Sequence, residues 1–146
     1  MGVRFVLVLP VMLFAAGILL ESGTSQSSAS ARPAVSARIT AVDAMVGSTA
    51  VHVAMKAKCD AGWSTNTYAQ RLMVREDLAS GPIIAFTNFV GSDQGWVCDG
   101  QDHTLDFNLV ADDSWNAGSL RADFYATVAD GTNTAVDFAR KSVRIR

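Results

Sequence analysis

Cysteine and histidine are scarce: the 146-residue chain has two of each. The histidines, His52 and His103, stand 51 residues apart, so neither supplies the local spacing that zinc and copper sites use. Met45, Met55 and Met73 read as core filler rather than as soft-metal ligands. No glycine-rich phosphate loop and no Gly-x-Ser-x-Gly elbow occurs, which removes the common nucleotide and serine-hydrolase signatures. Basic residues never form a block. Twelve Lys and Arg stand against fourteen Asp and Glu, for a formal net charge of −2, which argues against nucleic acid as the main partner. Nor does any stretch of about a dozen residues carry a helical apolar period.

The one long hydrophobic run is N-terminal. Phe5 to Leu20 is almost unbroken behind the lone cation Arg4, and it inflates the mean hydropathy of +0.21. A small polar tail follows and ends Ala29-Ser30-Ala31, so residues 1–31 read as a secretory signal peptide with a small-x-small cleavage site. The competing reading is a retained anchor that makes the rest a membrane-anchored extracellular domain. The 16 residues of the run fall short of the roughly 20 that span a bilayer, and Pro10 interrupts them. No cysteine follows the run for lipid attachment, and Val6 stands where a myristoylation signal needs Ser or Thr. Residues 32–36 then read as a disordered start of the mature chain, and residues 37–146 as the folded domain. About 115 residues close one core.

Both cysteines, Cys59 and Cys98, lie in that exported part. In an oxidising compartment a lone pair is most simply one disulfide; two free thiols or half of a metal site are the alternatives. A bond closes a 40-residue loop and stabilises by about 4 kcal/mol in the chain-entropy model.

Seven short segments alternate with period two between Gly, Asp, Asn and Ser punctuation. The strongest are Ala50–Lys58, with Val51, Val53, Met55 and Ala57 inward; His103–Val110, with Leu105, Phe107 and Leu109 inward; and Ser119–Ala129, with Leu120, Ala122, Phe124, Ala126 and Val128 inward. Val35–Val46, Thr67–Arg75, Pro82–Val90 and Ala135–Ile145 are weaker. Asp130-Gly131 supplies the positive φ of a hairpin turn before the last strand. The pattern predicts an all-β, seven-stranded immunoglobulin-like sandwich. It departs from a true immunoglobulin domain, because three strands follow Cys98 and the third strand has no tryptophan. In a sandwich with strands two and five adjacent, Cys59 and Cys98 meet at one pole. Lys56 and Lys58 then face Asp102 and Asp106, exposed pairs worth about 0.2–1 kcal/mol each.

Lys58-Cys59, the stretch Cys98-Asp99-Gly100-Gln101-Asp102-His103-Thr104 before alternating Leu105, Phe107 and Leu109, and the later Ala117-Gly118 before Leu120, Ala122 and Phe124 together resemble small exported β-sandwich proteins of actinobacteria. Those carry one Cys…Cys-Asp-Gly-x-x-His pair. The resemblance covers roughly Val51 to Val128 and implies export, a disulfide-stapled sandwich and no known enzyme chemistry. A looser likeness is to the secreted apoproteins of enediyne antibiotics, acidic sandwiches of this size that have two disulfides where this chain has cysteines for one.

Few constellations invite chemistry. Asp102-His103 has the composition of a dyad, but neighbours on a strand point to opposite faces. His103 shares the parity of Leu105 and reads as a strand-edge residue beside the disulfide, and His52 as a solvated one beside Lys56. Asp99, Asp102 and Asp106, or Asp112 and Asp113, offer oxygen ligands for calcium, yet their spacing fits no calcium loop, and turns and strand ends favour Asp anyway. No catalytic residue, metal ligand or cofactor is assigned. Alternating strand direction gathers Trp63, Asn66, Tyr68, Trp96 and Asp99 at the disulfide pole, while Trp115 falls at the other. Aromatic rings among amides and carboxylates suit a glycan or a small amphipathic ligand. The plainer reading has Trp63 and Trp96 capping the core and shielding the bridge. The expected function is a secreted, non-enzymatic binding or cell-envelope module, with cell-wall glycan as a candidate partner. The alternative is a small-ligand carrier using the Trp63/Trp96 pole.

Overall fold

A computed structural model describes residues 32–76, 83–116 and 118–146. The leader assigned to residues 1–31 lies outside the described residues. Within them are seven strands: β1 (Val35–Ala44), β2 (Ala50–Cys59), β3 (Gln70–Glu76), β4 (Ile83–Phe89), β5 (His103–Val110), β6 (Gly118–Ala129) and β7 (Thr134–Ile145). They form two antiparallel sheets, ordered β1-β2-β5 and β4-β3-β6-β7, packed as a sandwich. The expected adjacency of the second and fifth strands is present. In a constant-type immunoglobulin domain the fourth strand pairs with the fifth; here β4 pairs with β3 instead.

Alternation builds the core. Val51, Val53, Met55 and Ala57 of β2, Leu105, Phe107 and Leu109 of β5, and Leu120, Ala122, Phe124, Ala126 and Val128 of β6 are all buried between the sheets. Phe89 of β4 meets Phe107 of the opposite sheet with ring centroids 4.7 Å apart and lies 6.0 Å from Phe124. In β1 the register shifts between Ile39 and Ala41. The extra residue lets Ile39 and Val42, three apart, both face inward.

β1 begins at Val35, inside the stretch 32–36 expected to be loose. Val35 is buried, and Asp60 donates its N–H to Ala34 O at 2.9 Å, so the chain is fixed there by the end of β2. Along its outer edge β1 meets β7: Ala37 N–H donates to Asp137 Oδ2 at 2.7 Å, and Lys141 Nζ donates to Thr40 O. β3 begins at Gln70 rather than Thr67, for a reason given below. The β6–β7 hairpin turns at Asp130–Asn133, with Gly131 at φ 93° and Asp130 N–H bonded to Asn133 O. Trp115 fills the pole away from the cysteines, its indole N–H donating to Ala50 O at 3.1 Å.

Candidate functional site

Cys59 and Cys98 are bonded, with Cα atoms 4.7 Å apart, which fits an oxidising compartment. Among the described residues no helix is long and apolar enough to cross a membrane. The bond joins the end of β2 to the β4–β5 loop, and Gly100 N–H donates to Cys59 O at 2.9 Å beside it. The next turn carries Asp99, and it is this residue rather than the neighbouring Asp102 that meets the histidine: His103 Nε2 lies 2.9 Å from Asp99 Oδ1. That hydrogen bond, with Gln101 N–H on the same oxygen, holds the Asp99 carboxyl below its ordinary range. Across the pole Asp130 is pulled down to about 2 by the Asn133 side-chain amide and by the N–H groups of Asn133 and Thr132.

Three loops converge here as strand direction requires. Ser64 bridges to Ala129, Gly91 N–H donates to Thr65 O at 3.2 Å, and Ser92 N–H donates to Asn66 Oδ1 at 3.0 Å. Their tryptophans do not form a paired platform. Trp96 is 0% exposed, and its ring packs 6.3 Å from Phe124 inside the core. The short 3-10 turn Gly91–Gln94 ends on Gly95 at φ 68°, Trp96 N–H returns to Gly91 O, and Thr65 Oγ–H donates to Trp96 O at 2.9 Å. The chain doubles back and the ring turns inward. Trp63 is half-buried against the core, while Asn66, Tyr68 and Asp99 stay exposed. No ligand can therefore lie on both tryptophans in this conformation.

The pole is organised by a residue the alternation pattern does not flag. Gln70 is fully buried; its Nε2 donates to Thr65 O, Tyr68 O and Thr127 O, and its Oε1 accepts Thr127 N–H at 2.7 Å. These bonds hold Thr67 to Ala69 in a turn, which delays the start of β3. Gln70→Leu is expected to destabilise by about 2 kcal/mol in urea unfolding, since it strands buried backbone groups while keeping the volume.

A second surface was hidden in the polar half of the pattern. On the outer face of the four-stranded sheet Asp123 of β6 has a side chain only 2% exposed. It accepts from Arg140 Nε at 2.7 Å, from Arg121 Nη2 at 2.9 Å, and lies 3.7 Å from Arg75 Nε. Arg75 and Arg121 are direct cross-strand partners, so their like charges are bridged by this carboxylate. Beside it Tyr125 and Phe138 pack with centroids 4.7 Å apart, and the Arg140 guanidinium sits 4.9 Å above the Phe138 ring. Phe86, 66% exposed, and Val136, 61% exposed, extend the apolar area. The signal available in the sequence was the aromatic pair Tyr125 and Phe138 at outward positions.

On the other sheet His52 lies between Asp43 and Asp106, at 3.6 and 3.3 Å. Asp106 is thus taken by His52 rather than by a lysine. Among the described residues no three His, Cys, Asp or Glu side chains come together as a metal-binding group.

No protein-family model matches the chain, and no curated protein matches it. Among solved structures it is similar to the C-terminal domain of wzt, at 14% identity and a TM-score of 0.49 over 79% of this chain and 75% of that one. It is also similar to a beta-glucosidase from Kluyveromyces marxianus in complex with glucose, at 10% identity and a TM-score of 0.40. That match covers 78% of this chain but 14% of the glucosidase. The assignment as a seven-stranded β-sandwich stands on the strand pairing itself.

Proposed function

We propose that the protein is an exported, non-enzymatic binding module of the cell envelope, and that it meets cell-wall glycan through the outer face of its four-stranded sheet. One observation carries this reading: the exposed rings of Phe86, Tyr125 and Phe138 share that face with guanidiniums held in place by a buried carboxylate. Exposed apolar patches set among polar groups mark interaction surfaces. Sugar rings lie flat on aromatic faces, and the fork of Arg140 suits an acidic substituent. The exposed apolar side chains stand on three strands, β4, β6 and β7, a spread that suits a polymer better than an enclosed small ligand.

Co-sedimentation of the oxidised protein with purified cell-wall material tests this. The wild type is expected in the pellet, a folded Tyr125→Ala/Phe138→Ala variant in the supernatant, and Trp63→Ala in the pellet. Loss of pelleting by Trp63→Ala alone would move the site to the disulfide pole. A wild type that stays in solution would end the glycan reading.

A further inference from the structure

The outer face of the three-stranded sheet carries a groove of about 320 Å³ lined by Arg32, Arg38, Lys56, Lys58 and Asp102, together with Ser36 and Ala37. Four cations share it with one carboxylate, in a chain whose net charge is −2. Arg38 on β1 and Lys56 on β2 are direct cross-strand partners, and Lys58 stands opposite Ser36. Like charges placed directly opposite destabilise a sheet. The other sheet has the same conflict at Arg75 and Arg121 and resolves it with Asp123. Here nothing resolves it: among the described residues none of the four cations forms an ion pair, Asp106 is engaged by His52, and Asp137 by Ala37 N–H.

We infer that this groove is a binding site for a phosphate ester, separate from the aromatic face and independent of the reading given for it. A phosphate monoester carries a charge of about −1.5 to −2 and three acceptor oxygens, enough to be shared among several cations. A single carboxylate offers less charge and fewer directions. Arg38 supplies a planar fork, and the lysines supply compact charges that adjust to the remaining oxygens. The groove has the volume of a small-molecule site rather than of a polymer channel. The phosphate is that of a soluble ester or of a lipid headgroup.

The test titrates the oxidised protein with glycerol 3-phosphate by calorimetry, and runs flotation with phosphatidylcholine vesicles containing phosphatidic acid, whose headgroup is a phosphate monoester, in parallel. Saturable binding is expected, weakened roughly tenfold or more in Arg38→Gln/Lys56→Gln, weakened by added salt, and unchanged in Tyr125→Ala/Phe138→Ala. Binding of glycerol 3-phosphate assigns the site to free esters. Binding of vesicles alone, lost in the same variant, assigns it to lipid headgroups. Absence of binding in both arms overturns the inference, as does binding indifferent to Arg38 and Lys56. The double variant also separates a ligand effect from misfolding. With the opposed charges gone it should melt above the wild type, and a lower melting temperature would refute the charge-conflict premise.

Discussion

Reduction of the Cys59–Cys98 bond is expected to lower stability by about 4 kcal/mol, the loop-closure estimate for a 40-residue loop. A domain of this size holds about 5–15 kcal/mol in total, so the reduced protein should sit much closer to its unfolding threshold. The bond secures more than entropy. It anchors the β4–β5 loop, which carries Trp96 into the core and Asp99 to His103. Urea titrations with and without reductant, followed by tryptophan fluorescence and by circular dichroism, read the effect. Both probes should move together to a lower midpoint. A loss under about 1 kcal/mol would mean that the Thr65–Trp96 and Gly100–Cys59 hydrogen bonds already restrain the loop in the unfolded ensemble.

Asp123→Ala is expected to cost about 3 kcal/mol, the lower end of the range for removing one partner from a buried ion pair. Arg140 is half exposed and can turn to water, but Arg121 and Arg75 are held near the sheet and would lose the carboxylate between them. Equilibrium unfolding in urea gives the number. A triple replacement of Arg75, Arg121 and Asp123 by apolar residues should recover much of the loss, because a matched apolar set avoids the desolvation that the charged cluster carries. If that variant is as stable as the wild type yet no longer pellets with cell-wall material, the cluster is kept for binding rather than for the fold.

The strands were legible because each buries one face. Period-two alternation located β2, β5 and β6 within a residue or two of their ends, and the adjacency of β2 and β5 made the cysteine pairing reachable. Strand direction also brought the right loops to one pole. It said nothing of where a loop side chain turns, so it left open whether Trp96 offers a platform or caps the core: a 3-10 turn and a left-handed glycine send its ring inward, as the core-cap reading has it, and no pattern in the surrounding residues reports this. Gln70 was missed for a related reason. A polar residue at the head of a strand looks like a surface residue until its backbone partners in two other segments are known. Arg121 and Asp123 were passed over because alternation labels the non-core face as solvated. On a central strand flanked by β3 and β7, long side chains from both neighbours cover that face, so a charge there is buried by its own surroundings.

The contact between β1 and β7 bears on self-association. The free side of an outer strand is a template on which another chain can add itself, and repeated addition leads to fibres. Asp137 already occupies Ala37 N–H, and Lys141 already occupies Thr40 O. An incoming strand must displace one anion and one cation to complete its ladder along the middle of β1. These two side chains therefore oppose growth of the three-stranded sheet from its β1 edge.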